Sequence, residues 1–551
     1  MKHRIAKKTI VGVISAALIA AFTVVLPSTA SAADGCTDQN VIVGTKYVGF
    51  QKCTGADGNG SKYEIRMPEK FNGMLYLYSH GIRNQALLPI IPVVNPDGFY
   101  SKPRSNPEVA PGRTAEDQET IAANLLSQGY AVAGAGVQVN GWNVPEAIEA
   151  NLLLVIQAKD LFPKITKVVS WGDSLGGHIS QSLSERYGII DAAANLHMAG
   201  SAAAQFAYAG DAFWFYKTFF DPTFKAGGYT QPEFAGDTRG YLEFVTDIGK
   251  LLTVLNALAT AIAKNPVTPA WPESATNVPA ALKAIPVRSA ILLIGLLTGI
   301  PTQSTTYDAS SGPAGPLETT YGVAISPALA VLENTSTALI LGMYANYDAE
   351  MRCGGRVYDN TATDYAARLG DNSDVFAAAL SGKSAIAGLL AFLNKANPAA
   401  PRVAASASAM ACIKNQSQYS GNITVPTITI SQTADQITPA GYITKLRDQY
   451  EAAVSSGEAK PGLLLNIWNK PPDTYTSFEA TGAAKSPAVP TTGTSHYMFS
   501  NDQIMLIAKM LATAGKSGKL PSVATARKAI KSDNSLFIDP DFNPALVPQD
   551  Q

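Results

Sequence analysis

The stretch Val168-Val169-Ser170-Trp171-Gly172-Asp173-Ser174-Leu175-Gly176-Gly177 constrains this chain more than any other. A β-branched, apolar run climbs into Gly-x-Ser-x-Gly, and a helix-compatible segment, 178–187, follows. The order strand, tight turn, helix holds a serine in a strained backbone conformation with its hydroxyl exposed. Gly172 and Gly176 suit that turn because a Cβ at either position would crowd the neighbouring strand or helix. The helix N-terminus beneath the hydroxyl favours negative charge developing there. Ser174 is therefore read as a nucleophile. The motif alone leaves open a glycine-rich turn with an incidental serine, and the flanking strand and helix decide against it.

The chain of 551 residues opens with Lys2, Arg4, Lys7 and Lys8, an almost wholly apolar run from Ile10 to Leu26, and Ala30-Ser31-Ala32. A basic start, an apolar stretch somewhat short for a membrane span and a small-residue cleavage site predict a signal peptide over 1–32, with export and a mature chain from Ala33. An uncleaved anchor is the alternative. Removing the four basic residues takes the formal charge from −1 to −5. No basic run follows, so nucleic acid is not expected as a partner, and no stable membrane span is expected once the signal is gone. The four cysteines, Cys36, Cys53, Cys353 and Cys412, are even in number in an exported chain and predict two disulfides. Three pairings exist; sequence neighbourhood favours Cys36–Cys53 with Cys353–Cys412. The five histidines are scattered and there is no Cys-x-x-Cys, so no metal site is expected.

From about Tyr63 to Met198, short apolar strands alternate with helical stretches, which predicts βαβ units and a largely parallel sheet. Tyr63–Met67 and Met74–Ser79 read as neighbouring strands. Ala115–Gln128 and Pro145–Leu161 read as helices, the second with proline in its first turn. Tyr130–Ala135, Thr166–Trp171 and Ala192–Met198 read as strands. From about 200 to 421 the chain is rich in alanine and leucine with few strands. Leu251, Leu255, Leu258 and Ile262 recur on one helical face, and Ser326–Tyr347 and Val375–Asn394 read as helices. The apolar run Ala290–Leu297 is too short to cross a bilayer and reads as a buried helix, with the wall of a substrate tunnel as the alternative. The strand–helix rhythm returns with Thr427–Ser431, Pro439–Ala453, Leu463–Trp468 and a final helix over Asn501–Ala514.

A serine hydroxyl is a poor nucleophile until a base takes its proton. His496, in the loop Gly493-Thr494-Ser495-His496-Tyr497-Met498 between the last expected strand and the final helix, is the best base. His3 leaves with the signal, His178 sits on the helix after the nucleophile and points away, and His197, at a strand end, reads as core. An acid must orient that imidazole. Asp435, just beyond Thr427–Ser431, is favoured; it also suits an Asx turn or a cap for the next helix. Asp473 is its rival. Oxyanion donors are expected from the N–H groups of Leu175 and of Ile82, in Ser79-His80-Gly81-Ile82-Arg83, where His80 packs behind the hole.

The order Ser174, Asp435, His496, with His80-Gly81 upstream and Gly172-x-Ser174-x-Gly176 at the elbow, resembles the α/β-hydrolase superfamily. The resemblance covers about 60–200 and 420–515. It implies a mostly parallel eight-stranded sheet, with a core in two parts, 33–200 and 421–551, and a large, mainly helical cap inserted over 201–420. It also implies a secreted serine hydrolase that cleaves small-molecule carboxylic esters through an acyl-enzyme, without metal or organic cofactor. A serine peptidase of aminopeptidase or prolyl type, or an acyltransferase, would carry the same sheet and triad. An aminopeptidase would need carboxylates such as Glu333, Asp348 and Glu350 to hold an amino group, and on a helix these read as a solvated face. Sequence leaves the acyl and alcohol specificity and the oligomeric state open.

Overall fold

The computed structural model describes residues 35–83, 105–234, 236–266, 268–309, 325–372, 383–416, 419–479 and 494–550. The signal expected over 1–32 and residues 375–382 of the helix expected over Val375–Asn394 lie outside them. Ten strands form one sheet. They are β1 (Gly35–Val43), β2 (Lys46–Ala56), β3 (Lys62–Pro68), β4 (Met74–Ser79), β5 (Ala131–Ala135), β6 (Lys167–Asp173), β7 (Ala192–Leu196), β8 (Thr427–Gln432), β9 (Leu464–Asn469) and β10 (Leu536–Phe537). Their order is β1-β2-β3-β5-β4-β6-β7-β8-β9-β10. The pairs from β5 through β4, β6, β7 and β8 to β9 are parallel, and the outer strands on both sides are antiparallel.

Two expectations are corrected here. The sheet has ten strands, not eight. The extra strands are edge features without the apolar alternation that sequence reading depends on. β1 is polar and exposed along most of its length, and β10 is two residues long. β3 and β4 are not neighbours either. β5 lies between them, antiparallel to β3 and parallel to β4. The short turn after β3 carries the chain past the slot that β5 later fills.

The helices between the central strands are α1 (Ala115–Ser127), α2 (Val144–Leu161) and α3 (Leu175–Arg186). The strand β4 explains the layering. Met74, Tyr76 and Tyr78 face one apolar cluster, with Trp171 and α1; Leu75 and Leu77 face the other, with α2 and α3. Alternate residues point to opposite faces, so a strand covered on both sides must be apolar throughout. Each such leucine removed from water contributes about 2 kcal/mol.

Between β7 and β8 come α4 (Ala202–Phe219), α5 (Arg239–Lys264), α6 (Val287–Thr298), α7 (Ser326–Cys353), α8 (Lys383–Phe392) and α9 (Ala407–Lys414). α4 to α8 build an apolar cluster, to which Leu251, Leu255, Leu258 and Ile262 all belong, while Ala409 and Ile413 of α9 pack with α2 and α3. The run Ala290–Leu297 is a buried part of α6, apart from Leu296 at its rim. α5 and α7 are long and apolar enough to cross a membrane; buried core helices pass the same test, and both supply residues to this cluster. The acids on α7 are not a solvated face, because Asp348 is 3% and Glu350 1% exposed. After β8 follow α10 (Gly441–Ser456), α11 (Asn501–Ser517) and α12 (Val523–Ile530). α11 lies against the face of the sheet that α1 covers. Disulfides join Cys36 to Cys53 across the β1–β2 hairpin and Cys353, ending α7, to Cys412 in α9.

Candidate active site

The elbow forms where β6 meets α3. Ser174 has φ +55° and ψ −120°, a conformation that costs roughly 1–3 kcal/mol and persists only where the surroundings enforce it. They do so through hydrogen bonds. The Ser174 N–H donates to Leu196 O at 3.0 Å, and Ser174 O accepts from the N–H groups of Gly177 and Ala199, each at 3.0 Å. Only glycine fits at 172 and 176. A Cβ on Gly172 would overlap Gly176 O, and one on Gly176 would overlap Ser79 O, both of them backbone atoms.

The loop after β4 packs against this turn. A Cβ placed on Gly81 would lie 3.4 Å from Ser174 Cβ. Gly81 O accepts from His80 Nδ1 at 2.7 Å and from Arg83 Nη1 at 3.2 Å. In a trans peptide the N–H points opposite the C=O, so these two donors fix the direction of the Ile82 N–H. His80 Nε2 meets Ser105 Oγ at 2.8 Å, and burial, followed by the Arg83 charge, lowers its pKa. Among the described residues, neither the Ile82 N–H nor the Leu175 N–H, at the first position of α3, has an acceptor.

On the other side of the site, His496 Nδ1 lies 2.8 Å from Asp435 Oδ2. Asp435 is fully buried, and its oxygens divide the work. Oδ1 accepts from the N–H groups of Ile437 and Thr438, each at 2.8 Å, which is the turn-capping role. Oδ2 accepts from Thr438 Oγ1 at 2.9 Å and faces His496. Burial alone would raise this carboxyl; the charge and hydrogen bond of His496 outweigh it and hold the pKa below the usual range. Asp473 is exposed and does not meet His496. Gln436 ties the acid loop to the histidine loop, accepting the His496 N–H at 2.9 Å and donating to Ser495 Oγ at 3.0 Å. Among the described residues, no hydrogen bond joins Ser174 Oγ to His496. Such contacts commonly tighten only when substrate binds.

His178 is buried behind the turn, with Nδ1 2.9 Å from Gly200 O, and burial pulls its pKa down to about 4. His197 is buried, as its strand-end position implies, yet it belongs to the site. Its ring stacks on His496, with centroids 4.3 Å apart and planes 23° apart. Its Nδ1 accepts the Tyr497 N–H at 3.3 Å, and its Nε2 is 4.0 Å from Asp173 Oδ2. The tyrosine hydroxyl of Tyr78 donates to the other Asp173 oxygen. A signal existed in the sequence: His197 directly follows the carboxyl end of a central strand, the edge where loops of parallel sheets carry chemistry. Three of the four described non-glycine residues with positive φ are Ser174, His197 and Tyr497, so backbone strain gathers here.

His197, Asp435 and His496 offer ligand atoms within 4.8 Å of one another. The geometry suits hydrogen bonding better than a metal. Lone pairs of stacked rings lie in nearly parallel planes and do not converge on one ion, and His197 Nδ1 and Asp435 Oδ2 already accept protein donors.

No family model and no curated protein sequence matches the chain. Solved structures do. An esterase from Aspergillus oryzae is 13% identical, over 78% of this chain and 73% of its own, with a TM-score of 0.34. Feruloyl esterase B from Aspergillus oryzae is 13% identical, over 87% and 82%, with a TM-score of 0.37. Tannin acyl hydrolase from Aspergillus niger is 12% identical, over 83% and 81%, with a TM-score of 0.32. At these levels the likenesses carry no argument about activity. The chain nonetheless resembles α/β-hydrolases in its own architecture, a mostly parallel sheet flanked by helices with a strand–turn–helix serine at its centre.

Proposed function

We propose that this chain is a secreted serine hydrolase that cleaves small-molecule carboxylic esters through an acyl-enzyme. The single observation that carries the reading is the pairing of a serine held at φ +55° on a strand–helix turn with an imidazole whose Nδ1 lies 2.8 Å from a buried carboxylate. In this mechanism His496 Nε2 takes the Ser174 proton as Oγ attacks the ester carbonyl. The N–H groups of Leu175 and Ile82 stabilise the tetrahedral oxyanion. His496 then protonates the departing alcohol, and water, deprotonated by the same nitrogen, releases the acid. Asp435 holds the imidazole tautomer and balances its charge. This chemistry requires no metal or organic cofactor.

The helices over 201–420, between two halves of core at 33–200 and 421–551, are assigned as a cap. Their apolar character favours modest-sized apolar or aromatic esters over polymer surfaces. The disulfides support export. An aminopeptidase is disfavoured because its candidate amine-binding acids are engaged elsewhere. Glu350 accepts the N–H groups of Gly228 and Tyr229, and Glu333 accepts from Ser304 and Thr306.

The test pairs short- and long-chain p-nitrophenyl esters and aromatic diesters with aminoacyl and prolyl anilides, using Ser174→Ala as control. Ester turnover is expected to fall by about 10⁴-fold or more in the folded variant. A folded, active Ser174→Ala ends the mechanism, and anilide cleavage without ester cleavage moves the assignment to a peptidase. A competing alcohol that captures the acyl group identifies a transferase.

A further inference from the structure

The nucleophile and the base sit on segments far apart in sequence, and among the described residues no side-chain hydrogen bond ties one directly to the other. One residue touches both, and it also touches the acid's loop. We propose that His197 is the positioning residue of this site, joining the turn that carries Ser174 to the loop that carries His496 and holding the His496 ring by its face. The inference rests on the ester-hydrolase reading above.

The contacts are specific. On the nucleophile side, His197 Nε2 lies 4.0 Å from Asp173 Oδ2, an electrostatic approach longer than a hydrogen bond. On the base side, Nδ1 accepts the Tyr497 N–H at 3.3 Å, and the ring covers His496 at 4.3 Å. The rings of Tyr497 and Phe499, 4.7 and 5.2 Å away, help enclose it. On the acid side, Thr438 Oγ1 lies 2.9 Å from both His197 O and Asp435 Oδ2. The His197 backbone is held at φ +35°, and its N–H donates to Ile430 O at 2.7 Å. The backbone bonds fix where the ring stands, and the ring contacts with Tyr497 and His496 are those that depend on histidine.

Histidine fits for a chemical reason. Because Nδ1 accepts an N–H, the neutral ring carries its proton on Nε2, directed to the Asp173 side. A phenyl ring offers neither pole. The charged and titratable groups around the ring are Asp173 from β6, Asp435 from the loop after β8, and His496 and Tyr497 from the histidine loop. Tyr78 and the Arg83–Glu108 pair stand behind Asp173. Burial, and then the neighbouring His496, lowers the His197 pKa, which favours the neutral ring.

The test compares His197→Leu, His197→Asn and Ser174→Ala on a short-chain p-nitrophenyl ester, with functional sites counted by a serine-directed phosphonate. Per functional site, His197→Leu is expected to lose about 10²-fold in kcat with KM within about twofold, the scale of a small misplacement of reacting groups. His197→Asn keeps an acceptor for the Tyr497 N–H and is expected to recover about tenfold of that loss. Unchanged kcat per site in His197→Leu overturns the proposal while leaving the triad intact. If His197→Leu does not fold, His197→Asn decides alone, since it also lacks the ring and an unchanged kcat refutes the role. Turnover by Ser174→Ala overturns this inference and the reading beneath it together.

Discussion

The two sides of the candidate site are built from different materials. The nucleophile side is made of backbone. Gly172 and Gly176 pack atom to atom against Ser79 and each other, and main-chain bonds from Leu196, Gly177 and Ala199 enforce the φ of Ser174. The acid–base side is made of side chains. Asp435, Gln436 and Thr438 reach across to Ser495 and His496 through directed hydrogen bonds. Backbone packing tolerates almost no substitution, because neither partner can move aside. A side-chain network can lose a member and keep its fold. The nucleophile side should therefore fail by unfolding, and the acid–base side by losing rate.

Three measurements sharpen or break that contrast. The largest effect is expected from Asp435→Asn, a near-isosteric change that removes the charge and disturbs the tautomer. It should lower kcat by about 10⁴-fold with little change in thermal midpoint, while Asp473→Asn leaves rate and midpoint alone. A large rate loss in Asp473→Asn instead would transfer the acid's role and dissolve the contrast. Gly176→Ala comes next and should do the opposite. Its Cβ has nowhere to go, so a loss of more than about 3 kcal/mol in denaturant titration is expected, with normal rate in any molecules still folded. A stable but inactive Gly176→Ala would show that the turn can yield.

The smallest of the three concerns pH. Burial lowers the pKa of His178 behind the turn to about 4, from about 6.5 for a solvated imidazole. Below about 6.5 the unfolded chain binds a proton that the folded chain refuses, so stability falls with acid until about pH 4, by about 3 kcal/mol in all. His80 and His197 are lowered too and add in the same direction. His178→Asn keeps a donor for Gly200 O and should flatten its share of the slope in urea titrations from pH 7 to 4. An unflattened slope would locate the acid sensitivity elsewhere.

The same contrast explains what the sequence disclosed. The elbow is a local pattern, and its glycines are diagnostic because the contacts they permit are between backbone atoms, Gly172 with Gly176 and both with Ser79. Asp435 stood out as a carboxylate just past a strand end and His496 as a histidine in the loop before the final helix, and the structure brings the two together. The division of Asp435 between turn and imidazole was not, since both uses predict the same residue. His197 escaped because a histidine ending an apolar strand satisfies the core equally well; only the fold brings Tyr497, 300 positions on, to its Nδ1. β1 escaped for the reverse reason: its polar residues hold a register set by a hairpin and a disulfide, not by apolar alternation.

Chain order also sets a timetable. Ser174 is translated long before Asp435 and His496, with all the helices between β7 and β8 in between. At roughly 5–20 residues per second, the ribosome delivers the base on the order of half a minute after the nucleophile. Ile430, whose carbonyl takes the His197 N–H, arrives late as well. A nascent chain thus carries Ser174 through most of its own synthesis without His496, and on the proposed mechanism the site is among the last features the polypeptide completes.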